Sequence, residues 1–290
     1  MTGVRRELAW FLAPSLSLMA VVLLYPLGYS LWLSLFAFYL PRPPANFVGL
    51  ANYVGLLGEV RFWTALRNTL QIVGGAVGLQ FVAGLALALA LARLTRGAKL
   101  FNVLLFLPHV ITPVVAGLLL KWMFIFKWGL IHQGLQALGL PAPDWFGRPE
   151  YARWSIILAD SWQNMPFVTL VLYAGLMSLP SDPVEAARVD GASGLQLLWH
   201  VILPALRPLI LFVLIIRAMD AFRLFDTIFV MTGGGPGTAT ETVTVYNYIL
   251  AFRLLQIGKA SALGVLTLLM LSVVLGGLIL LIYRRERGEW

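Results

Sequence analysis

From Asn68 to Ala92 the chain runs for 25 residues without one charged side chain. A helix of that length crosses about 30 Å of hydrocarbon. In such a solvent every backbone N–H and C=O must be satisfied within the chain, which leaves only helices or a closed barrel. Barrel strands alternate polarity over roughly ten residues, whereas both faces of this stretch are apolar, so the helix is the expected form. The rest of the chain agrees, with 60% of 290 residues apolar and 12% charged, and a mean hydropathy of +0.85. Zero cysteines exclude a disulfide framework, a thiolate metal site and a thiol nucleophile.

Six stretches qualify as spans: residues 10–36, 68–92, 101–120, 152–176, 205–231 and 261–283. The fourth carries Arg153 and Asp160, and the fifth carries Arg207, Arg217, Asp220, Arg223 and Asp226. The first span follows Arg5 and Arg6 as a secretory signal would. Its apolar run exceeds the roughly 7 to 15 residues of such a signal, so it reads as an uncleaved anchor with the amino terminus inside. Basic residues are denser on the sides assigned inward (1–7, 93–100, 180–204 with Arg207, and 284–290), led by Arg93, Arg96 and Lys99 and by Arg284, Arg285 and Arg287. The expectation is an all-α membrane protein: one transmembrane domain over 1–290, six helices, both termini cytoplasmic. The net charge of +8, with 17 Arg against 4 Lys, is then a topology signal rather than a nucleic-acid footprint.

Between the first two spans, Tyr53, Leu56, Leu57, Phe62 and Trp63 mix with Glu59 and Arg61 at helical spacing, which predicts an interfacial helix over 52–67. Gly74 and Gly78 form a GxxxG, with Gly84 further along, and read as close helix packing. No internal repeat supports an inverted two-half transporter. The glycine-rich run Thr232–Thr240 neither follows a strand nor opens a helix with Lys, so it reads as an outer turn and not a phosphate cradle. His109, His132 and His200 are scattered singly and make no metal site.

The most informative stretch is 181–208, SDPVEAARVDGASGLQLLWHVILPALRP, on the inner side between the fourth and fifth spans. Asp182 is placed as an N-cap with Glu185 three residues on, and Pro183 suits the first turn. Gly191 breaks the helix. A second amphipathic segment gathers Leu195, Leu198, Trp199 and Ile202, and Pro204 and Pro208 then mark the start of the fifth span. Such a helix pair suits either a protein partner or a connector lying on the headgroups.

Glu185-Ala186-Ala187, Asp190-Gly191-Ala192 and Leu203-Pro204, ending in Pro208, resemble the EAA loop of binding-protein-dependent ABC importer permeases. The resemblance extends over nearly the whole chain. It includes Phe47-Val48-Gly49-Leu50 with Asn52-Tyr53, Leu107-Pro108, Trp162, Phe225-Asp226, Thr232-Gly233-Gly234-Gly235-Pro236, and Gly258 with Ala260 and Ala262. These pieces are most similar to sugar-type permeases of the maltose and glycerol-phosphate branch, and the FD and TGGGP elements resemble the first of two non-identical permease subunits. Leu198 stands where the family often has Phe, which keeps an apolar knob.

The resemblance implies a multi-pass protein of a prokaryotic inner membrane, surrounded by lipid. It also implies a second permease subunit, two copies of a cytoplasmic ATPase, an extracytoplasmic solute-binding protein and a sugar substrate. ATP and magnesium would belong to the ATPase, with no cofactor on this chain. The sequence fits, since Gly258-Lys259 lacks the Gly at 253 and the Ser or Thr at 260 of a phosphate-binding loop. The resemblance makes 181–208 the ATPase-coupling loop, with Glu185 in contact with the ATPase, Asp190 orienting the helix pair and Gly191 permitting the turn. Ala186, Ala187, Ala192, Leu198, Leu203 and Pro204 complete it.

Asp160, Gln163, Asn164 and Phe167 fall at i, i+3, i+4 and i+7, so three polar groups and an aromatic share one face of the fourth span. Polar groups at membrane depth are costly without a partner or a wet cavity, so this face should point inward. In the fifth span Arg217, Asp220, Arg223 and Asp226 alternate in sign every three residues. They either neutralise one another or, with Arg217 and Asp220 nearer the middle, join the fourth span around a polar solute; Ala221 and Leu224 are included in that path. An unpaired Arg217 would favour an anion such as glycerol 3-phosphate, and a paired one a neutral sugar. The rival classes are a stand-alone secondary transporter or channel and, with no nucleophile and base constellation, a membrane enzyme. The expected function is a non-enzymatic importer subunit.

Overall fold

The computed structural model describes residues 2–42, 45–94 and 96–286, without the side chains of 2–9, 99, 275 and 278–286. The basic clusters built on Arg5, Arg6, Lys99, Arg284, Arg285 and Arg287 therefore lie outside what is described.

The chain opens with α1 (Thr2–Leu33), a two-stranded hairpin of β1 (Phe36–Ala37) and β2 (Asn46–Phe47), α2 (Ala51–Gly58) and α3 (Val60–Ala92). It continues through α4 (Ala98–Val110), α5 (Pro113–Phe124), α6 (Leu130–Ala137) and α7 (Pro149–Met177). Then come α8 (Ser181–Val189), α9 (Gly194–Leu197), a π-helical turn (Leu198–Ile202) and α10 (Leu203–Phe222). The last elements are α11 (Asp226–Met231), α12 (Val243–Tyr248), a second π-helical turn (Ile249–Arg253) and α13 (Ile257–Glu286).

Among the described residues four helical segments are long and apolar enough to cross a bilayer: Trp10–Leu33, Val60–Ala92, Gly194–Phe222 and Ile257–Val274. Two bent pairs also qualify, Leu100–Val110 with Pro113–Phe124 at 95° and Pro149–Met177 with Ser181–Val189 at 76°. The stretch 101–120 is thus a broken helix and not a straight one. Pro113 disfavours the helical region for the residue before it, and Thr112 takes ψ 143. The stretch 205–231 is also interrupted, because α10 ends at Phe222 and Arg223 and Leu224 close it with short bonds to Asp220 O and Ala221 O. Conversely, Pro204 does not break the chain. The π-helical turn ahead of it absorbs the missing N–H, and Gly194–Phe222 runs continuously.

The chain forms two compact units. In the first, residues 1–63 and 246–272, the α1 side chains from 10 to 29 are exposed, as lipid-facing ones are. The expected interfacial helix is divided at Glu59 into α2 and the start of α3. Asn52 Nδ2 donates to Ser34 O and Phe36 O (2.8 and 2.9 Å), and the Ser34 and Tyr53 hydroxyls lie 2.6 Å apart, which seats α2 on the end of α1. The hairpin pairs Phe36 with Phe47, and Gly258 N–H donates to Phe38 O at 3.2 Å. Glu59 receives the Tyr246 hydroxyl at 2.5 Å and pairs with Lys259, while Arg61 lies over the Tyr246 ring. Burial pushes the Glu59 carboxyl up, but the bonds from Lys259 and Tyr246 and the charges of Lys259 and Arg61 outweigh it and hold the carboxyl below its usual range.

In the second unit, residues 64–245 and 273–290, α3, α7 and α10 meet around Ala88, Val168, Leu172 and Val213. Between helices in lipid such contacts act through close packing rather than a hydrophobic drive. The close approaches differ from the GxxxG expectation. A Cβ at Gly75 would lie 2.7 Å from Ile157 Cδ1 and one at Gly84 2.8 Å from Val168 Cγ1, whereas Gly74 and Gly78 have nothing within 4 Å. Of the three expected glycines only Gly84 makes such a close approach to α7. Across the unit, α11 lies against α5, with Lys121 Nζ donating to Val230 O at 2.9 Å.

Candidate functional site

Two regions of the second unit bring the sequence-predicted residues together. The first is the loop 181–208. Helix α8 begins two residues earlier than expected, with Pro180 at the N-cap and the Ser181 hydroxyl on Asp182 Oδ1 at 3.2 Å, so Asp182 acts in the first turn and not as the cap. Its C-terminus is closed by Gly191 at φ +81. Ala192 N–H donates to Ala187 O (2.9 Å) and Gly191 N–H to Arg188 O (3.1 Å), the two bonds of a Schellman turn, and only a residue at ease in the left-handed region completes it without strain. Two residues on, Ser193 starts the next helix with a capping box: Gln196 N–H donates to Ser193 Oγ (3.4 Å) and Ser193 N–H to Gln196 Oε1 (2.8 Å).

The two helices are therefore set by opposite caps across three residues. Glu185, Ala186 and Asp190 are exposed and Ala187 and Ala192 half-buried. A cavity of about 520 Å³ separates the pair from the end of α3, lined by Arg93, Val184, Glu185, Arg188 and Leu198 among others. Leu198 thus faces into the unit, Leu203 is half-buried and Pro204 exposed. The apolar side chains that stand out are Val189, Leu195 and Trp199, exposed by 87%, 67% and 62%.

The second region lies inside the helices. Asp160 on α7 is 2% exposed and Arg217 on α10 is 4% exposed. Arg217 Nη2 is 3.3 Å from Asp160 Oδ2, Nη1 is 3.3 Å from Asp220 Oδ2, and Nε donates to Gln80 Oε1 at 2.9 Å. Asn164 Nδ2 donates to Asp160 Oδ1 at 2.9 Å, and Arg223 Nη2 pairs with Asp220 Oδ1 at 2.9 Å. Of the four alternating charges of the fifth span, Arg217, Asp220 and Arg223 are thus joined by ion pairs, and Arg217 and Asp220 also line a cavity. That cavity, about 270 Å³, lies where the α4–α5 break leaves a gap and is lined by His109, Ile111 and Pro113, by Asp160, Gln163 and Asn164, and by Arg217, Asp220 and Leu224. Gln163 Nε2 donates to Ile111 O at 2.7 Å and so satisfies a carbonyl next to the break. Phe167 does not line the cavity; its ring stacks on His109, centroids 5.8 Å apart. Ala221 is buried behind the wall, at 3% exposure.

Gln80 is the residue that sequence reasoning missed. A lone amide in a run of small apolar residues reads as packing, and nothing on its own helix marks it. The outer turn is also more firmly held than its glycines suggest. Asn68 Nδ2 donates to Thr238 O and Glu241 O (2.7 and 3.1 Å), Thr69 Oγ1 accepts from Val243 N–H (3.0 Å), and the Thr232 and Thr240 hydroxyls lie 2.7 Å apart.

Residues 80–288 match the model of the family described as binding-protein-dependent transport system inner membrane component. The trehalose/maltose transport system permease protein MalF of Thermococcus litoralis is 34% identical over 256 residues, covering 88% of this chain and 86% of the relative. The trehalose transport system permease protein SugA of Mycobacterium tuberculosis is 40% identical over 266 residues (90% and 84%). The sn-glycerol-3-phosphate permease UgpA of Yersinia pestis is 32% identical over 264 residues (89% and 87%). In fold, the chain superposes on a subunit of a bacterial alginate ABC transporter, solved with an alginate pentasaccharide-bound periplasmic protein, with TM-score 0.79 at 23% identity over 94% of this chain and 93% of that one. The chain belongs to the binding-protein-dependent inner-membrane transport components, the ABC importer permeases, and groups within them with permeases of sugar transport systems.

Proposed function

We propose that this chain is the first of two non-identical permease subunits of an importer for a neutral sugar or oligosaccharide. An extracytoplasmic binding protein delivers the solute, and two cytoplasmic ATPase subunits, which hold the ATP and magnesium, drive transport. The α4–α5 pair counts as one span and α7 as another, with α8 outside the bilayer, giving six, and both termini lie on the ATPase side of a prokaryotic inner membrane.

One observation carries the reading: the loop 181–208 holds two helices in a fixed bend and leaves Val189, Leu195 and Trp199 largely exposed beside Glu185 and Asp190. Large apolar side chains rimmed by charge are the mark of a protein contact, and a short amphipathic helix fits a groove in its partner. ATP-driven movement of that partner would then reach α10 without a hinge, because Gly194–Phe222 is one continuous helix.

The solute class follows from charge. Two carboxylates, Asp160 and Asp220, meet two guanidiniums, Arg217 and Arg223, so the group is formally neutral. An anion such as glycerol 3-phosphate would need an uncompensated cation. Alternating donors and acceptors such as Asn164, Arg217 and Asp220 instead suit vicinal hydroxyls. A photo-reactive residue at position 185 in the assembled importer tests the coupling. Crosslinks to the ATPase subunit are expected, and crosslinks confined to lipid would overturn the reading.

A further inference from the structure

Gln80 is fully buried and does not line the 270 Å³ cavity, yet its amide is used at both ends. Nε2 donates to Asp160 Oδ2 at 2.7 Å and more weakly to Asp160 O at 3.3 Å, while Oε1 accepts from Arg217 Nε at 2.9 Å. A neutral amide offers two N–H donors and a carbonyl acceptor on one plane, so it can face a carboxylate and a guanidinium together. Leucine there would leave each ion short of a partner. Ionised glutamate would still accept from Arg217 but would lose the donor and set a second negative charge against Asp160.

We propose that Gln80 is the positioning residue of the solute site, holding the Asp160 carboxylate and the Arg217 guanidinium in the paired, neutral arrangement that selects an uncharged polyhydroxy solute. The inference rests on the cavity being the solute path. Through Asp160 Oδ1, Gln80 acts on Asn164; through Arg217 Nη1, it acts on Asp220. Neither Asn164 nor Asp220 touches Gln80 directly, so the amide tunes the cavity wall from behind. The ionisable groups around it are Asp160 on α7, Arg217, Asp220 and Arg223 at the end of α10, and His109 on α4. The 68–92 stretch of α3 contributes no other.

Gln80→Glu and Gln80→Leu in the complete reconstituted importer separate this role from simple packing. A protonated glutamic acid has one O–H donor and one carbonyl acceptor and so reproduces both contacts of the amide, which the ionised form cannot. Desolvation and the neighbouring Asp160 carboxylate both oppose a second negative charge. Solute-stimulated ATP hydrolysis by Gln80→Glu should therefore show a KM about tenfold above wild type near pH 8, falling back toward wild type near pH 5.5 as the introduced carboxyl takes up a proton, with kcat little changed. Gln80→Leu should raise KM at both pH values without the acid recovery. If Gln80→Leu fails to assemble, Gln80→Glu alone decides. A Gln80→Glu profile that parallels wild type across this range overturns the positioning role. Asn164→Leu, measured alongside, distinguishes the two levels. If it weakens the solute response while Gln80→Glu shows no pH effect, only the role of Gln80 falls; if it too is silent, the solute path falls with it.

Discussion

Arg217 Nη2 stands 3.3 Å from Asp160 Oδ2, with side chains 4% and 3% exposed. Removing one partner of such a pair strands a buried charge, at a cost of about 3–5 kcal/mol, whereas removing both costs less. The two single losses should differ. Without the Asp160 charge, Arg217 keeps Asp220, but without Arg217, Asp160 keeps only the neutral donors of Gln80 and Asn164. Arg217→Leu should therefore lower the melting temperature of the purified complex more than Asp160→Asn, and the double variant Asp160→Asn with Arg217→Gln should recover part of the loss. Equal single losses without recovery would contradict the pairing.

Gly191 takes φ +81, and a Cβ there would meet nothing within 4 Å. A side chain is therefore opposed by the backbone alone, by about 1–2 kcal/mol, less for Asn, and far more for Pro, whose φ is fixed near −65°. ATP-coupled uptake should fall in the order Gly, Asn, Ala, Pro at position 191, at constant membrane abundance. Glu185→Lys should abolish uptake in the same way. Transport assays with quantified membrane protein check both.

Asn164 donates to Asp160 Oδ1 at 2.9 Å and faces the intramembrane cavity. Asn164→Leu removes the amide while keeping the volume close. It should weaken solute stimulation of ATP hydrolysis while the complex still purifies intact. Unchanged solute dependence would remove α7 from the path.

Asn68 clamps the outer turn through two carbonyls, that of the exposed Thr238 and that of the buried Glu241. Asn68→Ala removes the amide donor from both, at about 1–3 kcal/mol for a buried bond lost. Limited proteolysis should cut within 232–240 faster in the variant, and equal rates would show that the turn is held by other bonds.

The Glu59 carboxyl is held below its usual range, so the folded state favours its ionised form. That contribution is fully present above the unfolded carboxyl value, the ordinary 4.5, and is lost as pH falls through the lower folded one. Acid melts of the complex should show a loss of stability in that acidic window, reduced in Lys259→Leu. Identical acid profiles would remove the pair from the account.

The long apolar helices and the helix pair of 181–208 were legible because their signals are local: apolar runs of membrane length, and glycine and acidic residues at short fixed spacings. The bend before Pro113 was written in the Thr112-Pro113 step, but the apolar run through it hides the break. Ser193-x-x-Gln196 is a readable capping box that lies inside the gapped EAA motif. Three contacts could not be read locally. Gln80 meets Asp160 and Arg217 from 80 and 137 positions away, and Glu59 meets Lys259 from 200. The polar face of α7 was periodic and visible; the amide that anchors it from α3 had no periodic neighbour to mark it.

Solute uptake into proteoliposomes tests the central claim most directly, comparing this chain alone with the full assembly of both permeases, ATPase and binding protein. The account predicts uptake only by the full assembly supplied with ATP on the ATPase side. Gradient-driven uptake by this chain alone, indifferent to ATP, would contradict it.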